Sequence, residues 1–156
     1  MNIRRAQIKD SDRITTLLYQ VQKVHSDARP DIFRQGAKKY TADELSDIIA
    51  DDTRPIFVAV DENDTVLGYA FCIYEITENS TNLADNKMLY IDDLCVDENL
   101  RGKHIGSALY EYVVKFAKEN GFDRITLNVW CLNESAMRFY EKCGLSSLKI
   151  TMEKLL

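Results

Sequence analysis

Histidine is scarce in this chain: His25 and His104 are the only two, and they stand far apart. Four cysteines, Cys72, Cys95, Cys131 and Cys143, are scattered without a C-x-x-C pair, so neither residue type supplies a zinc ligand set. Each cysteine lies in an apolar strand-like or helix-like context, which suits buried free thiols in a reducing cytoplasm. No apolar run reaches the ~18–20 residues that a membrane span requires. The first residues, Met1-Asn-Ile-Arg-Arg-Ala6, open on a strand-like pattern and contain no apolar signal core. Cationic excess is missing too. A formal net charge of −5 argues against duplex binding, which needs a basic face to displace counterions. The one Gly-Lys pair is not followed by Ser or Thr, and no G-x-G-x-x-G opens the chain. P-loop and dinucleotide-binding folds therefore lose their phosphate motifs.

What remains is an ordinary soluble composition, 46% hydrophobic and 29% charged over 156 residues. That length closes one core, and there is no repeat, linker or low-complexity stretch, so residues 1–156 form a single domain. Asn2–Ile8 reads as a strand. Asp10 or Ser11 can cap a helix carrying Ile14, Leu17, Leu18, Val21 and Val24, ended by Arg29-Pro30. Thr41-Ala-Asp-Glu44 is a capping box before a short helix with Leu45, Ile48 and Ile49. Ile56–Val60 and Val66–Ile76 form a hairpin about the polar turn Asp61–Thr65, a loop follows from Glu78 to Lys87, and Met88–Val96 is a further strand. Ile105, Ala108, Leu109, Tyr112, Val113, Phe116 and Ala117 make a helical stripe stopped at Asn120-Gly121. Ile125–Leu132 is rich in β-branched residues and reads as a strand; Asn133 caps a helix with Ala136, Phe139, Tyr140 and Cys143 that Gly144 stops. Leu145–Leu156 suggests a short strand, a bend and a last strand over Ile150–Lys154. The sum is a mixed α/β domain: strand, two helices, three strands, helix, strand, short helix and two closing strands.

The segment from Tyr90 to Leu109 carries the chemistry. A strand runs into a basic loop, Arg101-Gly-Lys-His104, and then into an amphipathic helix. Free N–H groups and the macrodipole at such a helix start favour an anion, and Arg101 and Lys103 add two cations. A pyrophosphate suits this seat.

These residues resemble the GNAT superfamily of N-acetyltransferases. The family's pyrophosphate loop reads R/Q-x-x-G-x-G/A after a strand, and Arg101-Gly-Lys-His-Ile-Gly106 matches at Arg101 and Gly106. Downstream, Asn133-Glu-Ser-Ala-Met-Arg-Phe-Tyr-Glu-Lys-Cys-Gly144 is similar to the second cofactor segment, N-x-x-A-x-x-F-Y-x-x-x-G. The resemblance runs from Ile3 to Lys154. It implies the single-domain acyl-CoA N-acyltransferase fold, no metal, and acetyl-CoA as co-substrate, with its pyrophosphate on Arg101, Gly102, Lys103, His104, Ile105, Gly106 and Ser107. Its pantetheine arm would lie along Leu94, Cys95 and Val96, where the fourth and fifth strands part, and Asn133, Ala136 and Tyr140 would complete the cofactor site. One departure stands out: His104 replaces the family's first loop glycine. A histidine keeps the loop if its φ is negative and its side chain points outward.

The same resemblance makes Tyr140 the general acid toward the thioester sulfur, the competing reading being a core aromatic. A phenol of pKa about 10 can serve a thiolate whose conjugate acid lies at about 8.5. The base is Asp92, acting through a water because a carboxylate of ordinary pKa near 4 is a poor direct acceptor, or Asp93 on the opposite face of the strand. Asp92 stands where spermidine/spermine N-acetyltransferases, which this segment resembles, carry a glutamate. Otherwise either aspartate caps a loop or pairs with a lysine. Asp93, Trp130 and His25 are candidate acceptor-binding residues, though a histidine placed like His25 is more often a surface helix residue and Trp130 suits the core as well as a pocket rim. Cys95 lacks a histidine partner and is set aside as a nucleophile. The acceptor is a small-molecule or peptide amine, with no nucleic acid or membrane partner; a homodimer follows family habit alone. The acidic balance and the Asp92-Asp93 pair tilt toward a small polycation. The rival readings are a non-catalytic acyl-CoA sensor and an enzyme using a longer acyl donor.

Overall fold

Five strands lie side by side in chain order in the computed structural model, which describes all 156 residues. They are β1 (Asn2–Arg5), β2 (Ile56–Val60), β3 (Val66–Thr77), β4 (Asn86–Val96) and β5 (Arg124–Leu127). The first four pair antiparallel, and β5 runs parallel to β4. Between them come α1 (Ser11–Ala28), α2 (Ala42–Ala50), α3 (Ile105–Glu119) and α4 (Glu134–Lys142). The parallel β4–β5 step needs a crossover, and α3 supplies it. The mixed α/β class read from the sequence is the class observed. No helix is long and apolar enough to cross a membrane.

The strand alternation sorts the core onto two faces. Ile56, Val58 and Val60 of β2 join Tyr69 and Phe71 of β3 against Ile14, Leu17 and Leu18 of α1 and Leu45, Ile48 and Ile49 of α2. Phe57, Ala70, Cys72, Leu89 and Ile91 point the other way and meet Val113 and Ala117 of α3. Ile14, Leu17 and Leu45 are almost wholly excluded from water, each contributing about 1.5–3 kcal/mol by burial.

The capping box of α2 forms as its spelling predicts: the Glu44 N–H donates to Thr41 Oγ1 at 3.2 Å, and the Thr41 N–H donates to Glu44 Oε2 at 2.7 Å. The start of α1 is built differently. Asp10 stands at its N-cap without capping it, because the carboxylate accepts from Arg4 Nη1 and Nη2 at 2.7 and 2.9 Å and from the Gln7 N–H at 2.8 Å. That ion pair ties β1 to α1, with the Asp10 side chain 3% exposed.

Strand β4 changes face midway. Phe71 of β3 pairs with Asp93 and Cys72 with Ile91, so Asp92 is an extra residue, a β-bulge. Before it, Leu89 and Ile91 face α3; after it, Cys95 packs with α1 and α2, and Leu94 and Val96 pack beside α3. This corrects the expectation that strict alternation places Asp92 and Asp93 on opposite faces. The inserted residue breaks the two-residue period, and both carboxylates lie near one ammonium, that of Lys39.

The end of the chain also departs from its pattern. The strand expected over Ile125–Leu132 stops at Leu127, and the two closing strands expected after Leu145 do not form. Pairing with β4 ends at Ile91↔Leu127, and β5 has no neighbour on its outer edge. Leu148, Ile150 and Met152 alternate as a strand should, yet stay 70%, 77% and 86% exposed. Strand propensity expresses fit to a pleated, half-covered surface, and no such surface meets this segment. Arg29 holds the tail through a bidentate pair with Glu153 at 2.8 and 3.2 Å.

Candidate active site

Four features converge where β4 leaves β5. The first is an open strand edge. β4 pairs with β3 as far as Val96↔Gly68, but with β5 only as far as Ile91. The backbone of Asp92, Asp93, Leu94, Cys95 and Val96 thus keeps one side free of any strand partner. Gly68 lets β3 follow β4 through this stretch, since a Cβ there would meet the Cys95 carbonyl oxygen at 2.6 Å. A second strand-like group can dock on such an edge through main-chain hydrogen bonds.

The second is the loop. Asp97 accepts from the Asn99 N–H at 3.0 Å and forms an ion pair with Arg13, which anchors the turn Glu98–Leu100. Arg101, Gly102, Lys103 and His104 follow, all exposed. Helix α3 begins at Ile105 with no side-chain cap, so the first-turn N–H groups of Ile105, Gly106 and Ser107 have no partner within the helix. Gly106 lies beside Val96 and Phe139, bringing the helix start, β4 and α4 together. The N-terminus of an uncapped helix flanked by two cations fits a pyrophosphate.

His104 corrects the expectation of a negative φ: its φ is +59°, in the left-handed region, and Gly102 sits at +80°. The outward, exposed side chain is as expected. Left-handed geometry is costly for a residue with a Cβ, although histidine visits it more readily than most. Replacing His104 with Gly removes the Cβ clash at this φ. His104→Gly is expected to stabilise the protein by about 1 kcal/mol, read as a higher denaturant midpoint at unchanged m-value.

The third feature is the acid–base cluster. Lys39 Nζ donates to Asp92 Oδ2 at 2.9 Å and lies 3.8 Å from Asp93 Oδ2. The Tyr40 hydroxyl donates to Asp92 Oδ2 at 3.3 Å, and the Tyr69 hydroxyl donates to Asp93 Oδ2 at 2.9 Å. Asp93 is nearly enclosed; burial pushes its carboxyl above the usual range, and Lys39 and the Tyr69 hydrogen bond only partly offset this. Burial, then the charge of Asp93, raises the Tyr140 phenol, which therefore stays protonated at neutral pH. His25 is lowered, by burial first. Cys95 is pushed up to about 12 by burial and by Asp93, and its thiol faces the Leu17 carbonyl at 3.9 Å. It is no thiolate nucleophile.

The fourth is a cavity of about 90 Å³ between the end of α1 and the start of α4, lined by Val24, His25, Phe33, Trp130, Leu132 and Asn133 among others. His25 stacks on Phe33 at 5.1 Å, and Trp130 meets Phe33 edge-on at 5.3 Å. Asn133 caps α4 by accepting from the Ala136 N–H at 3.2 Å, and that helix carries Tyr140.

The sequence model of the acetyltransferase (GNAT) family matches residues 18–145. This chain belongs to that family. GNAT proteins in general take acetyl-CoA as co-substrate, and the open edge of β4 and the uncapped start of α3 fit such a molecule. The chain is 36% identical over 83 residues to the probable N-acetyltransferase san of Drosophila melanogaster, a match covering 53% of this chain and 42% of that protein. It is 37% identical over 65 residues to glucosamine 6-phosphate N-acetyltransferase of Arabidopsis thaliana, covering 42% of each. The chain thus spans well under half the length of these curated relatives. A single-substitution variant of the BH1408 protein from Bacillus halodurans superposes with a TM-score of 0.96 at 31% identity, covering 100% of this chain and 99% of that one.

Of the residues singled out by motif, the loop from Arg101 to Ser107, the β4 edge and the α4 face converge on one region of this GNAT domain. His25 and Trp130 line its cavity. The alternative that an aspartate pairs with a lysine is realised by Lys39, though neither that lysine nor Tyr40, Tyr69 or Phe33 was singled out beforehand. Lys39 lies in the irregular stretch between α1 and α2, where no periodicity orients a side chain. Tyr69 reads in sequence as one more core aromatic, and its hydroxyl gains meaning only across the β3–β4 pair.

Proposed function

We propose that this chain catalyses acetyl transfer from acetyl-CoA to a primary amine by direct attack. The convergence of an uncapped helix start, an open strand edge and a proton-transfer cluster carries this reading. Arg101, Lys103 and the N–H groups of Ile105, Gly106 and Ser107 would hold the pyrophosphate; Leu94, Cys95 and Val96 would pair with the pantetheine arm. Acetyl-CoA supplies an activated thioester. The free main-chain edge of β4 offers N–H donors for its carbonyl oxygen, where negative charge develops. Tyr140 donates a hydrogen bond to the leaving sulfur. Asp92, through a water, takes the ammonium proton of the acceptor, and His25, Phe33 and Trp130 pack against the acceptor body.

One observation favours Asp93 as the base instead. Its raised pKa brings it closer to an amine, and protonating it removes the charge that adds to burial in holding Tyr140 up. Base and acid would then be coupled: as Asp93 gains a proton, Tyr140 becomes the better donor. A sensor without turnover has no use for this coupling. As for the acceptor, Lys39 already balances one of the two carboxylates, so the polyamine-like subtype of the β4 segment has a single uncompensated charge behind it.

Thiol release from acetyl-CoA over a panel of amines, compared with longer acyl donors, tests the reading. Absence of turnover despite cofactor binding would leave the sensor alternative. Asp92→Asn and Asp93→Asn then separate the bases. The true base is needed ionised, so the rate falls as pH drops through its folded pKa, and its Asn variant loses about 100-fold or more together with that acid limb. The other variant keeps the limb and changes mainly KM.

A further inference from the structure

Lys39 places a primary amine within reach of both carboxylates proposed as the base. A base must lie within hydrogen-bond reach of the proton it takes. The Lys39 ammonium stands 2.9 Å from Asp92 and 3.8 Å from Asp93, and so meets that condition for either assignment. It extends from the irregular stretch between Arg29 and Tyr40, where no helix or strand constrains it. Its neighbour Lys38 is exposed and has no ion pair, so the two lysines of one loop differ only in what they face.

We infer that Lys39 is an internal acceptor: with acetyl-CoA bound and no amine present, the protein acetylates its own Lys39. The inference rests on the proposed acetyl transfer. Lys39 Nζ loses a proton to the Asp92–Asp93 pair and its lone pair forms the C–N bond to the acetyl carbon. The C–S bond breaks, the electron pair leaves with sulfur, and a proton from Tyr140 completes the free thiol; the second nitrogen proton restores the Tyr140 phenol and the carboxylate proton passes to solvent, so one proton is released overall. The product amide is neutral and leaves both carboxylates without their ion-pair partner.

The groups facing Lys39 set its pH dependence. Burial pulls its pKa down, but Asp93 and Asp92 outweigh burial, and the ammonium lies above its ordinary value. His25 is lowered and so is neutral above pH 7, while Tyr40 is raised and stays protonated. Lys39 then remains an ammonium across pH 7 to 9. Because its proton passes to the carboxylate pair inside the complex, the self-acetylation rate should change by less than about threefold over that range, whereas acylation of an amine freed to solvent would rise about tenfold per pH unit.

Wild-type protein incubated with acetyl-CoA alone, followed by intact mass and peptide mapping, tests this. The expected result is one acetyl group at Lys39, Lys38 unmodified, a first-order rate independent of protein concentration, and a rate at least about tenfold lower in Tyr140→Phe. Lys39→Arg should abolish the mass increase while still binding acetyl-CoA by calorimetry. Equal labelling of Lys38 and Lys39 would mean non-enzymatic acylation and would overturn the inference. So would an unmodified Lys39 in protein that acetylates an added amine, in which case the proposed function stands. Protein that does not bind acetyl-CoA at all would overturn both.

Discussion

Tyr140→Phe is expected to lower kcat by about two to four orders of magnitude, with acetyl-CoA affinity and acceptor KM little changed. The phenol has no hydrogen-bond partner within the protein, and its ring packs against Phe139 at 5.1 Å. Phenylalanine keeps that packing and removes only the donor. The unfolding free energy should move by less than about 0.5 kcal/mol, as it does for substitutions that break no buried bond. This separates the acid role from the core-aromatic reading, under which neither kcat nor stability responds. A normal kcat in the variant, at full cofactor occupancy, would remove Tyr140 from the chemistry.

The largest stability effect is expected far from that tyrosine. Arg4→Met leaves the Asp10 carboxylate enclosed without its guanidinium, and breaking a buried pair from one side costs about 3–5 kcal/mol. Burial alone would raise Asp10, but the Arg4 hydrogen bonds and the Gln7 N–H outweigh it and hold the group below the usual carboxylate range. A depressed folded pKa means that this stabilisation is full above the unfolded value and is lost as pH falls through the folded one. Urea unfolding at neutral pH should therefore show the whole deficit of the variant. Below the usual carboxylate range the two proteins should converge, because Asp10 of the variant is then neutral. A deficit that persisted undiminished in acid would point to lost packing of the Arg4 stem.

Local spelling accounts for much of the fold. The Thr41–Glu44 box, the α3 stripe and the Asn133 cap each combine a periodicity with a start signal a few residues away, and each appears where its residues place it. The loop from Arg101 to Gly106 is legible for the same reason: glycines and cations at a strand-to-helix junction mark a candidate anion seat without help from distant residues. The weaker readings all depend on a neighbour. Leu148, Ile150 and Met152 alternate as strand residues, but a strand exists only if another edge pairs with it. His104 carries no mark of its left-handed backbone, because the flanking chain imposes that geometry.

Sequence alone determined the element types and order from β1 to α4, the basic loop ahead of α3 and the helix bearing Tyr140, since contacts within a few residues decide each of these. Tertiary structure decided what those elements share. The extra residue at Asp92 shifts the phase of β4 and brings two carboxylates to one lysine, from a loop that lies 53 positions earlier in the chain. A bulge is a mismatch between two strands, and neither strand alone records it.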